Sequence, residues 1–138
     1  MGRILAIDYG SKRTGLAVTD PMRIIATALE MIESQKLIEY LKNYFSKEQV
    51  DEVVIGMPKQ LNNQDSEIAP LVRKFVELFK ITFPEKPIAL ADERFTSAQA
   101  HRSMLDGGMS KKNRQIKGNV DKISATLILQ NYMQTKGL

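Results

Sequence analysis

The hydrophobic period of this chain changes once, and that change limits the folds open to it. Apolar residues first come in short strand-like runs, Arg3 to Tyr9, Thr14 to Thr19 and Ile24 to Met31, separated by turns containing Gly10 or Asp20-Pro21. That is the pattern of an antiparallel meander. Beyond Ser34, placed as an N-cap, Leu37, Ile38, Leu41, Tyr44 and Phe45 recur at helical spacing. EVVIG (52–56) and PIALA (87–91) read as short buried strands. Between them, 66–83 is an amphipathic helix with Ile68, Leu71, Val72, Phe75, Leu78 and Phe79 on one face. Thr96-Ser97-Ala98-Gln99 matches a capping box and opens a helix ending near Gly107-Gly108. The stretch 109–119 has no apolar period and reads as a loop. Asn119 then caps a last helix with Val120, Ile123, Leu127 and Ile128 facing inward. Three meander strands followed by strands alternating with helices predict an α/β fold: a mixed five-stranded sheet, its later strands parallel and covered on both faces.

At 138 residues the chain is read as one domain, 1–138, able to bury a core without a staple. It contains no cysteine, so disulfides and thiolate metal sites are excluded, and a metal would need oxygen ligands or the single histidine, His101. A lone histidine on a helix suits a surface or packing role better than chemistry. No apolar run approaches the ~20 residues of a membrane span, and the N-terminus has no signal-peptide pattern, so a cytoplasmic location is expected. The formal charge of +4 is concentrated. Arg102, Lys111, Lys112, Arg114, Lys117 and Lys122 face only Asp106 and Asp121 in that stretch, which leaves the rest neutral. Such a segment is the footprint of a polyanion partner or a solvated loop.

One residue resists a structural account. Asp8 interrupts a run whose neighbours are apolar, and a buried carboxylate without a counter-charge is costly. Gly10 just after it leaves room for a ligand backbone or phosphate. Asp92 and Glu93 follow the fifth strand, at the sheet edge where α/β sites form, and Asp121 lies in the first turn of the last helix. Clustered on one rim, these acids would repel unless a divalent cation bound between them. Singly, Asp121 could serve the helix dipole, Glu93 could pair with Arg94, and Asp20 before Pro21 suits a turn.

Taken together, AIDYGSKRTGLAVTD, GMPKQLNN, DERFTSAQA and VDKISATLILQNY resemble, in order and spacing, the blocks of the YqgF family, Holliday-junction-resolvase-like proteins of the ribonuclease H-like superfamily. The resemblance runs nearly end to end. It implies a ribonuclease H-like sheet in the order 3-2-1-4-5 and a nuclease using two Mg²⁺ or Mn²⁺ ions, with Asp8, Glu93 and Asp121 as catalytic and metal-binding acids. One ion would activate water and the other stabilise the leaving oxygen. Arg13, Arg94, Lys111, Lys112, Arg114 and Lys117 would face nucleic-acid phosphates. The implied substrate is the 5′ end of the small-subunit ribosomal RNA precursor or branched DNA. The chain departs from the family at Asn63, where glycine is usual. The first block also resembles the phosphate-binding strand pair of actin-like and sugar-kinase ATPases, which need two such lobes. A non-catalytic nucleic-acid-binding factor is a third reading, disfavoured by intact acids at all three positions. With one apolar face per helix already required by the sheet, a monomer or weak homodimer is expected.

Overall fold

The computed structural model describes residues 2–57, 68–92 and 117–137. Strands β1 (Arg3–Asp8), β2 (Arg13–Thr19) and β3 (Ala26–Glu33) form the antiparallel meander, and β4 (Val50–Met57) and β5 (Ile88–Asp92) add parallel to β1. The order is β3-β2-β1-β4-β5. The helices are α1 (Leu37–Lys47), α2 (Ala69–Thr82) and α3 (Lys117–Thr135).

Period-two alternation divides the sheet between two cores. Leu5, Ile7, Leu16, Val18, Val53 and Ile55 pack with Leu37 and Leu41 of α1 and with Val72, Phe75, Val76 and Phe79 of α2. On the other face Ile4, Ala6, Ala17 and Val54 meet Ala125, Ile128, Leu129 and Met133 of α3. Central β1 is therefore buried on both faces, and its apolar run is nearly continuous for that reason.

The α3 helix runs antiparallel to β1 and β4. Near its C-terminal end the Tyr132 hydroxyl donates to Glu52 Oε2 at 2.6 Å, close to the start of β4. Met133, Gln130 and Gln134 border a groove with Ile24, Ile25 and Ala26, where β3 begins. The N-terminal end of α3 consequently points toward the edge where β1, β4 and β5 finish.

Several local expectations are corrected. The third strand starts at Ala26 rather than Ile24, because Asp20 Oδ1 accepts the amides of Ile24 (2.7 Å) and Ile25 (2.8 Å), withdrawing both from the ladder. Ser34 is no N-cap. Its side chain makes no capping bond, and a 3-10 turn, Ser34–Lys36, leads into α1. On α2, Val76 is buried while Leu71 and Leu78 are 39% and 48% exposed, so the inward face is rotated relative to the one read from the sequence. The last helix begins at Lys117, so 117–119 are helical and Asn119 does not cap it; once nucleated, a helix extends at little cost. On α3 the buried stripe runs through Ala125, Ile128, Leu129 and Met133, with Leu127 only half-buried.

Candidate active site

Asp8 ends β1 and is half-buried. The next side chain, Tyr9, stacks on Phe75 of α2 at 4.7 Å between ring centres. Anchoring Tyr9 on the α2 side turns Asp8 toward the opposite face, the one α3 covers, in line with Ile4 and Ala6. In register, Asp8 lies opposite Gly15 of β2. On its other side the pairing of Ile7 with Ile55 brings Gly56 of β4 to the same level, and Gly56 pairs in turn with Ala91 of β5. The row Gly15, Asp8, Gly56, Ala91 thus carries one functional side chain flanked by two glycines. The sheet is cleared of side chains on both sides of this carboxylate.

The glycine noticed in the sequence does something else. A Cβ on Gly10 would stand 2.2 Å from the Arg13 carbonyl oxygen, so Gly10 is needed by the turn's own backbone. That turn is held by Ser34, whose hydroxyl donates to the Gly10 carbonyl and is 2.8 Å from Thr14 Oγ1, and whose amide donates to Lys12 O at 2.8 Å. Arg13 opens β2, half-buried, two residues from Gly15 and so on the same face as Asp8.

Asp121 lies in the second turn of α3, not the first, and the helix-dipole effect fades beyond the first turn. Its position is one turn before Ala125 and two before Ile128. Lys117 opens the helix. Glu93, Arg94, Lys111, Lys112, Arg114, Asn63 and His101 lie outside the described residues, although β5 ends at Asp92, immediately before Glu93. Among the described residues no three acidic or histidine side chains come together as a metal cluster.

At the far end of the sheet a second polar network fixes α3. Arg23, in the left-handed region at φ 58°, donates to Gly2 O (2.9 Å) and Asp51 Oδ2 (3.0 Å) and lies 3.7 Å from Glu52. Asp51 is held below the usual carboxylate range by the Gln49 side chain first, then by the Gly2 amide and Arg23. Tyr132 is pushed up to about 12 by partial burial and by its bond to Glu52.

A family model described as "RuvX: Holliday junction resolvase" matches residues 2–135. The chain belongs to the RuvX family. RuvX and YqgF designate one family, so the resemblance read from the four blocks holds. This RuvX chain is 54% identical to a Flavobacterium johnsoniae protein over 136 residues, 99% of each chain. It is 50% identical to a Bacteroides fragilis protein over 138 residues, all of both chains. Each bears the name "Putative pre-16S rRNA nuclease". Among solved structures, Thermus thermophilus RuvC in complex with a Holliday junction substrate aligns over 99% of this chain and 97% of its own, with a TM-score of 0.60 and 15% identity. A second RuvC structure from that organism gives 0.54 over 98% and 96%. The RuvX fold is therefore the RuvC-like ribonuclease H fold.

Proposed function

We propose that this chain is a divalent-metal-dependent nuclease that matures the 5′ end of pre-16S rRNA in the cytoplasm, working as one domain with Asp8, Glu93 and Asp121 as its metal-binding acids. The observation that carries the reading is Asp8 at the end of the central strand, flanked in register by Gly15 and Gly56. A carboxylate with bare backbone on either side admits a hard cation and a phosphate where larger residues would fill the space. The donor set fits, being oxygen throughout in a chain without cysteine. When bound, two Mg²⁺ or Mn²⁺ ions would supply Lewis-acid polarisation of the scissile phosphate and stabilise the attacking and leaving oxygens.

Two further features support the acid set. From Tyr132, fixed beside Glu52, α3 reaches position 121 after ~16 Å at ~1.5 Å per residue. From Glu52, β4 reaches Gly56, level with Asp8, after ~13 Å at ~3.3 Å per residue. Those rises are compatible with the two acids lying at similar heights along the sheet, which supports the reading. On β5, Ala89 and Ala91 belong to the face that α3 covers, and the next residue of that alternation is Glu93. In this reading the chain's own residues orient the substrate: the three carboxylates fix the cations, Arg13 steers a phosphate from the same face, and Arg94 with Lys111, Lys112, Arg114 and Lys117 draws in the polyanion. The names of the relatives supply the choice of ribosomal RNA precursor.

The test is cleavage of a precursor rRNA fragment by the wild type, Asp8→Asn, Glu93→Gln and Asp121→Asn, with Mn²⁺ and with chelator. Each substitution removes a ligand charge at nearly constant shape and is expected to abolish cleavage with circular dichroism unchanged. Mn²⁺ should raise the wild-type melting temperature but not that of Asp8→Asn. Metal-dependent cleavage by Asp8→Asn would overturn the mechanism.

A further inference from the structure

Beside the β1–β2 turn lies a groove of about 500 Å³ lined by Ser11, Lys12, Arg13, Glu33 and Gln35. We propose that this groove is a subsite for a second backbone phosphate of the substrate strand, adjacent to the one being cut, with Lys12 and Gln35 joining Arg13 as its ligands. The proposal rests on the nuclease reading above and adds where the strand goes.

Three observations carry it. The first is unspent charge: among the described residues no carboxylate pairs with Lys12 or Arg13, and the one acid in the groove, Glu33, is 3.6 Å from Lys36. The second is rigidity. Cations on a flexible loop lose entropy on binding, but here Ser34 ties Gly10, Lys12 and Thr14 into one unit, and the Gly10 turn is too tight for any side chain. The third is position. Arg13 stands one strand over and two residues on from Asp8, about 8 Å away at ordinary sheet spacings. That backbone separation leaves the next phosphate along the strand within reach of the long Arg13 side chain.

The chemistry matches a phosphodiester. The Arg13 guanidinium can take two phosphate oxygens as a fork, Lys12 adds a point charge, and the Ser11 hydroxyl and Gln35 amide can donate. The groove opens on the β3 side, opposite β5 in the strand order. A strand seated here therefore crosses the β1–β2 turn instead of leaving along β5.

The experiment uses the full chain in metal-free buffer. Binding of a labelled single-stranded RNA is followed by fluorescence anisotropy across a salt series for wild type, Lys12→Gln, Gln35→Ala and Asp8→Asn. Lys12→Gln should weaken binding and flatten the log–log salt slope by about 0.7, the value for one lost single-strand phosphate contact. Gln35→Ala should weaken binding with the slope unchanged, because it removes no charge. Asp8→Asn should keep the full slope and, in a parallel assay with Mn²⁺ in which the wild type cuts the same RNA, should lose cleavage. An unchanged slope and affinity in Lys12→Gln, with Asp8→Asn inactive, overturns the subsite and leaves the nuclease reading standing. A lost slope in Lys12→Gln alongside an active Asp8→Asn keeps the subsite and overturns the catalytic assignment. Competition by a mononucleotide as effective as that by the oligonucleotide would overturn it in favour of a nucleotide pocket.

Discussion

Single residues here carry more than their local pattern discloses. Asp8 was legible because one carboxylate among apolar neighbours is anomalous in the sequence itself. Gly15 and Gly56 were not, since each looks like an ordinary strand glycine until the register sets it beside Asp8. Ser34 misled for a related reason: a serine before an apolar period signals a cap, but its hydroxyl was claimed by Gly10 and Thr14, whose proximity depends on strand pairing. At the opposite end, Tyr132 gives a pH prediction. Its proton is held more tightly in the folded chain, up to about 12, than in the unfolded chain, where tyrosine titrates near 10. Its stabilisation is therefore complete below pH 10 and is lost as pH rises through about 12, because the unfolded state binds fewer protons in that window. Tyr40 and Tyr44 are also raised, chiefly by burial, and act with the same sign. Urea unfolding of Tyr132→Phe should show a loss of about 1 kcal/mol at neutral pH and a shallower decline than wild type between pH 10 and 12. A parallel decline in the two proteins would mean that the bond to Glu52 does not hold the proton.

Elements were read better than their edges. A mixed five-stranded sheet covered by helices on both faces followed from the switch of period, which is a property of many residues at once; its order, 3-2-1-4-5, was implied by the family resemblance instead. Boundaries failed where local detail decided them: at β3 the Asp20 side chain took the amides of Ile24 and Ile25, and α3 extends back to Lys117, past the expected cap. On α3 the expected inward face held at Ile128 but not at Leu127, which is only half-buried, while Ala125 and Leu129, absent from that expectation, are buried. The structure shows why alanine is there. Ala125 is fully buried in one cluster with Ala6 and Ala17, and three small residues let the helix sit low on the sheet; in the proposed site that close approach would bring Asp121 toward Asp8. Ala125→Leu is therefore expected to cost about 1–3 kcal/mol through overpacking. It should also reduce cleavage more than the stability loss explains, measured by activity well below the melting temperature. Full activity in a folded Ala125→Leu would show that the close approach of α3 does not position the site.

For the molecule as a whole, the number of copies acting together bears on the substrate. Resolving a four-way junction takes paired nicks on opposed strands, most simply made by two sites related by a two-fold axis, whereas trimming one RNA end takes one. The expectation that no apolar stripe would remain for a partner is corrected by α2, where Leu71, Leu78 and Ile81 lie exposed along one side, Ile81 at 77%. Three side chains do not make a strong interface, however. Lys74 interrupts their row, and their area falls well short of the ~800 Å² per partner of a stable dimer. Among the described residues no helix is long and apolar enough to cross a membrane, so this stripe is not part of a helical span. We expect a monomer at micromolar concentration in analytical ultracentrifugation, unaffected by Leu78→Glu, and unpaired cuts when a four-way junction is offered as substrate. A tight dimer that Leu78→Glu dissociates, with symmetric nicks lost at the same concentration, would put junction resolution ahead of rRNA maturation. The assignment of Asp8, Glu93 and Asp121 would stand in either case, because it depends on the rim of one sheet and not on the number of sheets.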